Sequence, residues 1–312
     1  MSSDPTPDGE SAMSPDDAFA IVGDDTRIQI LQAIGEADEP LTYSELFDRV
    51  DYDSTNFHYH LKKLRGHFIR KTEDGYTLHQ AGGRVVVAVL SGAVTDYPVV
   101  ERTLVETPCF LCGGGMELSY RQETVGLYCP DCGGRRSASG ESDEEGRAPS
   151  DIVGSLGLPP AGVEGRTPSE MIHAAEVWTA SQGQAVARDV CPWCSASLEH
   201  AVSACDDHDP SNGRCDACDR QFASLVHVSC RNCIFEQDSA LTSRLLSDTT
   251  LMAFMLDHGI DPLAPDAFHL TNVEEMVRSI DPFEAEFTFT ADGDTLTLSV
   301  DGDLLVADVS RG

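Results

Sequence analysis

"TNFHYHLKKLRGHFIRK", residues 55–71, decides how this chain is read. The stretch holds three lysines, two arginines and three histidines, without one Asp or Glu, in a chain whose formal charge is −32. Lys62, Lys63 and Lys71 are the only lysines in all 312 residues. Such concentration of basic charge in so acidic a chain asks for a reason.

Working outward, Asp53 or Ser54 is a capping residue for a helix that runs through Leu64. Phe57, Leu61 and Leu64 fall at i, i+4 and i+7, on one face of it. Upstream, helical patterns begin near Pro15, continue through "TRIQILQAIGEA" with Ile28, Ile30, Leu31 and Ile34, and end in "YSELFDRV" (43–50), capped by Thr42 or Ser44. Downstream, "HFIRK" and "YTLHQ" flank "TEDG", a hairpin turn signal. "GRVVVAVLSGAV" then has the length of a helix.

This order makes residues 54–64 the second helix of a helix-turn-helix, with the hairpin as a wing. Its outward face would offer Ser54, Thr55, Asn56, His58, Tyr59, Lys62 and Lys63, and Arg65, Arg70 and Lys71 extend the basic surface toward the wing. Polar side chains on such a helix read base edges in double-stranded DNA, while Lys and Arg neutralise phosphates. His58 and His60, two apart on a helix, point in different directions and make a poor chelate; His58 suits a groove contact and His60 a packed position.

The stretch from "DDTRIQIL" through "LTYSEL", "FHYHLKKL" and "YTLHQAG" resembles the ArsR-like winged helix-turn-helix transcriptional regulators, over about residues 15–95. The resemblance implies DNA contact by the basic helix and a homodimer built in part from residues 84–95. Metal-sensing members of that family carry cysteines near the recognition unit, whereas residues 1–108 contain none, so the resemblance does not extend to metal sensing there.

Composition bounds the rest. Asp plus Glu number 53 against 21 Lys plus Arg, and the acid is spread along the chain. At ~1 M ionic strength the Debye length is about 3 Å and self-repulsion is screened. The balance resembles that of cytoplasmic proteins from salt-loving archaea. No apolar run approaches the ~18 residues that span a bilayer, and "MSSDPTPDGE" lacks the basic and apolar parts of a signal peptide. We therefore expect a cytoplasmic protein with no membrane contact. In that compartment eleven cysteines imply metal rather than disulfides.

Cys109, Cys112, Cys129 and Cys132 form two Cys-x2-Cys pairs, the pattern of a zinc ribbon, with "MELSYR" and "TVGLYC" as a hairpin between them. Gly113 and Gly133 sit where the turn favours positive φ. Cys191, Cys194, Cys205, His208, Cys215, Cys218, Cys230 and Cys233 supply eight further ligands. Sequential pairing would put the first four on one ion, and a cross-braced scheme would join first with third and second with fourth. A sparer scheme uses one ion and leaves Cys205 and His208 free. Two or three structural Zn²⁺ ions follow, and spacing does not choose among the schemes. "CPDC" and "CPWC" also suit dithiol exchange, but the repeated pairs at ribbon-like separations do not. Four-ligand sites leave no position for catalytic water, and no nucleophile-elbow, Walker, Rossmann or zinc-protease motif is present, so we expect no enzyme.

The expected fold is multi-domain α+β. Residues 1–12 are a disordered acidic tail, 13–98 a winged helix-turn-helix DNA-binding domain, 99–137 a zinc ribbon and 138–150 an acidic linker. Residues 151–190 are a helical segment, its helix opened by Thr167, Pro168 and Glu170, and 191–235 are a Cys-rich zinc lobe. Residues 236–312 are an α+β module: a helix in "ALTSRLLSDTTLMAFMLDHG", a short one in "NVEEMVRS", and a three-stranded antiparallel meander with two Asp-Gly turns. The functional expectation is a transcriptional regulator whose zinc-bearing C-terminal region serves as effector, dimerisation or partner module. That region would meet a small-molecule effector or the transcription machinery. The alternative is a zinc-stabilised protein-interaction scaffold that does not read DNA.

Overall fold

The computed structural model describes residues 13–50, 54–109, 112–132, 152–210, 215, 217–218, 220–262 and 272–312. The expected tail (1–12) and linker (138–150) lie outside these residues, as do Asp53 and Gly133. The chain is a mixed α and β protein with several antiparallel sheets, divided into two compact units, Met1–Asp96 and Tyr97–Gly312.

The first unit runs α1 (Pro15–Val22), α2 (Asp25–Gly35), α3 (Tyr43–Arg49), α4 (Ser54–Leu64), β1 (Ile69–Lys71), β2 (Tyr76–Leu78) and α5 (Gln80–Leu90). Its helices start where side chains satisfy orphan amides: Asp24 accepts from the Arg27 N–H, and Thr42 and Glu45 form a reciprocal capping box on α3. Ile30, Leu31, Leu46, Phe57, Leu61, Leu64 and Ile69 make the core. The rings of Tyr43 and Phe47 meet Phe57 edge-on, at 5.4 and 5.2 Å, and so lock α3 against α4. β1 pairs antiparallel with β2, Arg70 opposite Thr77, and Leu41 bridges to Tyr76.

The second unit opens with a four-stranded antiparallel sheet, β3 (Val100–Val105), β4 (Met116–Arg121), β5 (Thr124–Tyr128) and β6 (Ile152–Gly157), in that order. Gln122 and Glu123, at φ 50° and 60°, make the tight β4–β5 turn. α6 (Pro168–Val186) lays Met171, Ile172 and Ala175 on this sheet, its start fixed by the Thr167–Glu170 capping box. The segment 151–190, expected to be helical, therefore contributes a strand to the ribbon's own sheet before α6 begins.

A three-stranded sheet follows, β7 (Leu198–Ala204), β8 (Ser224–Cys230) and β9 (Glu236–Ser239), then α7 (Leu241–Leu245) and α8 (Thr249–Asp257). The single helix expected over 240–259 is broken, because Asp248 turns its carboxylate back to cap α8 at the Thr250 and Leu251 N–H groups. The last sheet is β10 (Asn272–Ile280), β11 (Phe283–Ala291), β12 (Asp294–Val300) and β13 (Val306–Arg311), in sequence order. The meander thus has four strands, not three. "NVEEMVRS" is β10 and not a short helix: Val273 and Val277 face inward in alternation, and pairing with β11 overrides a helical propensity. Asp292 and Gly293, at φ 52° and 94°, form the hairpin turn that the Asp-Gly pair predicts. Leu198, Val226 and Val228 share one core with Leu251, Phe254, Phe287, Phe289, Leu296 and Leu298, so the Cys-rich segment and the C-terminal module pack as one body.

One close approach yields a test in the first unit. A Cβ added at Gly82 of α5 would stand 2.2 Å from the Phe68 carbonyl oxygen, whereas one at Gly83 would meet nothing within 4 Å. Gly82→Ala is expected to destabilise the first unit by roughly 1–3 kcal/mol. Gly83→Ala should be neutral or raise stability by up to about 1 kcal/mol, both read by chemical denaturation.

Candidate functional site

Two kinds of site emerge from these elements. The first is the outer face of α4. Phe57, Leu61 and Leu64 are fully buried beneath it, as their spacing requires. His60 is buried too, its Nδ1 lying 3.2 Å from Asp24 Oδ1, so the position is structural. Asn56, His58, Tyr59, Lys62, Lys63 and Arg65 are all exposed, and so are Arg70 and Lys71 on β1. Ser54 and Thr55 open α4, and their side chains lie outside the described residues. Three of the basic groups are held in place. Lys63 Nζ lies 5.6 Å over the Tyr59 ring, Lys71 Nζ 5.9 Å over the Tyr76 ring, and Arg70 Nε donates to Thr77 Oγ1 at 2.9 Å. No acidic residue occupies the first turn of α4, and Lys62 and Lys63 occupy the last.

The second kind of site is built from cysteine. Local hydrogen bonding shapes four of the knuckles: the N–H of Cys109, Cys191, Cys215 and Cys230 donates to the carbonyl five residues on, at Gly114, Ala196, Arg220 and Phe235 respectively, at 2.8–2.9 Å. Such a bond curls the chain until both sulfurs of a Cys-x2-Cys pair face the same point. Gly113 takes φ 73° just after the second cysteine, as expected of a glycine there. Ser195 takes the equivalent place at φ 63° without that freedom, which marks the Cys191–Cys194 turn as enforced by its surroundings.

The tertiary fold then gathers the pairs into three sets of four, each with ligand atoms within 4.8 Å of one another: Cys109, Cys112, Cys129 and Cys132; Cys191, Cys194, Cys230 and Cys233; and Cys205, His208, Cys215 and Cys218. The last two sets correct both pairing schemes. The pattern is neither sequential nor cross-braced but nested, first pair with fourth and second with third. Cys205 and His208 are not left free. The reason is the β7–β8 hairpin. Its base, where Leu198 pairs with Cys230, brings 191–194 beside 230–233, and its far end, where Ala204 pairs with Ser224, brings together everything between.

The distances suit a tetrahedral ion. Four sulfurs at about 2.3 Å from Zn²⁺ stand about 3.8 Å apart. The structure places Cys109 and Cys132 Sγ at 3.9 Å, Cys112 and Cys129 at 3.6 Å, Cys191 and Cys233 at 3.6 Å, and Cys194 and Cys230 at 3.5 Å. His208 Nδ1 lies 3.5 Å from Cys218 Sγ, near the roughly 3.6 Å edge of a mixed nitrogen–sulfur site. All eleven cysteines are free of disulfides. Outer groups orient the ligands: Asp131 accepts from the Gly115 N–H at 2.9 Å, and His208 Nε2 donates to the Gln221 carbonyl at 3.0 Å when Nδ1 is the ligand. Neither was visible in the sequence, because both depend on long-range packing. His200 and His227 stand outside the clusters, against Asp189 and Asp238.

Crowding four thiols splits their acidities. A backbone hydrogen bond from Ala196 draws Cys194 down to about 6. In the same cluster Cys233, though drawn down by a backbone bond from Phe235, is pushed up to about 12 by burial and by the thiols of Cys191, Cys194 and Cys230. Likewise a backbone bond at Asp209 brings Cys215 to about 6, while burial and then the neighbouring Cys218 and Cys215 thiols raise Cys205. The groups resist ionising together, and a cation at the centre removes that resistance.

A family model described as "Domain of unknown function (DUF7351)" matches residues 106–306, the span that holds every cluster ligand. The chain belongs to the DUF7351 family. A second model, "Domain of unknown function (DUF7347)", matches residues 15–89, which carry α4 and the β1–β2 hairpin. No curated protein and no solved structure matches the chain. The three ligand sets within the DUF7351 span could hold metal ions. Among the described residues no helix is long and apolar enough to cross a membrane.

The nested arrangement has a measurable consequence. Metal analysis of the purified chain should find three ions. Cys194→Ser and Cys230→Ser should each remove the same one, and the double variant should lose no more than either alone. Combining Cys194→Ser with Cys205→Ser should remove two. Sequential pairing requires the opposite result for both double variants.

Proposed function

We propose that this chain is a DNA-binding transcriptional regulator. Its first unit reads double-stranded DNA as an ArsR-like winged helix-turn-helix, and its second is a structural zinc-holding region that serves as effector, dimerisation or partner module. The observation that carries the reading is the outer face of α4. Every lysine of a chain charged −32 lies on that helix or on the adjoining strand, and all three are exposed. The element order supports it, since α3, α4, β1 and β2 follow one another as helix, helix and hairpin.

On this reading the exposed Asn56, His58 and Tyr59 meet base edges, and Lys62, Lys63, Arg65, Arg70 and Lys71 meet phosphates. A homodimer fits α5, where Val87 and Leu90 are 67% and 52% exposed one turn apart, followed by Val94 at 63%. The three cysteine sets suit Zn²⁺ by softness and geometry, and their four-ligand closure makes them structural and not catalytic. The acidic balance suits a cytoplasm of molar salt, where counterion release contributes little and base contacts carry selectivity.

A zinc-stabilised scaffold that binds proteins is the second reading. It is favoured by Trp193 and Ile234, which stand 60% and 87% exposed beside the cysteines of one cluster.

Duplex selection from a random pool in molar KCl separates the two. The regulator reading expects enrichment of one motif by the wild-type chain, and loss of that enrichment in Lys62→Ala/Lys63→Ala/Arg65→Ala. Below molar salt the slope of log K against log salt should shrink by about 0.9 for each phosphate contact removed. No enrichment at any salt from a folded, metal-loaded chain would leave the scaffold standing.

A further inference from the structure

The third ligand set differs from the others in what stands behind it. One short return segment, residues 220–224, supplies carbonyls to three of its four ligand residues. Cys215 N–H donates to the Arg220 carbonyl at 2.9 Å, and Cys205 N–H donates to the Ala223 carbonyl at 3.1 Å. His208 Nε2 donates to the Gln221 carbonyl at 3.0 Å. Whatever fixes this segment fixes the ligands.

The segment is itself held by a carboxylate from another sheet. Glu275 of β10, more than fifty residues away in sequence, accepts from the Ala223 N–H through Oε2 and from the Ser224 N–H through Oε1 at 3.1 Å. Ser224 is 1% exposed and Ala223 is 7% exposed, so these amides have little access to water. Glu275 also stands out on its strand. Its inward neighbours in alternation are Val273 and Val277, which pack on the apolar core, and a charge at that position is costly unless it is partnered. Two backbone N–H donors give it that partner, as a charge-assisted fork.

We propose that Glu275 is a positioning residue for the third metal site, acting through the backbone of residues 220–224 on Cys205, His208 and Cys215. This rests on reading that set as a metal site. The carboxylate holds the segment's N–H groups, which leaves its carbonyls aimed at the ligands. The Gln221 carbonyl then keeps the His208 proton on Nε2 and its lone pair on Nδ1, toward the ion. Outer partners of this kind set metal affinity by roughly 10–100-fold. By linkage, loading the third site must in turn tighten the hold of β10 on this segment, so the ion's presence is conveyed to the last sheet. Glu275 holds no backbone of the other two sets in the bonds described, the first set being served by Asp131 from within its own ribbon, so those two should not respond.

The test uses the full chain, stripped of metal and titrated with Zn²⁺ against a competing chelator, then with Co²⁺ to read the absorption of each site. Glu275→Gln keeps one acceptor but turns an amide N–H₂ toward a backbone N–H, so it cannot hold both donors. We expect it to weaken one ion of the three by ~10–100-fold, to leave the other two unchanged, and to remove the three-sulfur, one-nitrogen component from the Co²⁺ spectrum at sub-saturating metal. Amide exchange at Ala223 and Ser224 should quicken at the same time. Glu275→Asp, which keeps the charge but falls short of one donor, should lie between, and it serves where the Gln variant does not fold. Equal weakening of all three ions, or no change in any, overturns the proposal while leaving the metal reading intact. A wild-type chain that binds no ion with the three-sulfur, one-nitrogen spectrum overturns both.

Discussion

Thiolates crowded within a few ångströms repel one another unless a cation stands between them, and the second unit of this chain is arranged around that constraint. Four of the Cys-x2-Cys turns are shaped by a backbone hydrogen bond to the carbonyl five residues on, but a turn by itself gathers only half a site. The other half must come from elsewhere in the fold. For the first set it arrives across the β4–β5 hairpin, and for the other two the β7–β8 hairpin carries one set at its base and one at its far end, about 20 Å of strand apart. An ion at each end would clamp the hairpin in register. The set at the base is also tied to apolar packing, since Cys191, Cys230 and Cys233 join the core shared with the terminal helices and sheet.

The first unit obeys a different constraint. Its core needs no metal, because Phe57, Leu61 and Leu64 bury fully against α2 and α3. What it must manage is charge. A chain this acidic repels nucleic acid over most of its surface, so on the proposed reading attraction has to be local. Concentrating every lysine on α4 and β1 would provide it, while the surrounding acid would oppose non-specific contact. On the proposed reading, recognition then depends more on Asn56, His58 and Tyr59 than on bulk charge, because high salt removes most of the gain from counterion release.

Local signals in the sequence were faithful where local physics decides. The cap at Thr42, one of two candidates, the capping box at Thr167, the inward face of α4, the Asp292–Gly293 turn and the membership of the first cysteine set all follow from near neighbours in the chain. The failures have a common cause in long-range pairing. "NVEEMVRS" became a strand because β11 lies beside it, and residues 152–157 became a strand because β5 does. The nested ligand sets were unreadable for the same reason: spacing records which cysteines form a turn, and only the hairpin register records which turns meet. Glu275 belongs with these. Once β10 is known to be a strand, a carboxylate in line with Val273 and Val277 is a visible anomaly, but the helical reading concealed it. His208 lay within the candidate ligands, yet its Gln221 partner could be found only in three dimensions.

Anomalous scattering from a crystal of the full chain, recorded on both sides of the zinc absorption edge, tests the central claim most directly. The account predicts three zinc peaks, one of them bound by Cys191, Cys194, Cys230 and Cys233 and another by Cys205, His208, Cys215 and Cys218. A zinc bound jointly by Cys191, Cys194, Cys205 and His208, or cysteines paired as disulfides with no peak between them, would contradict it.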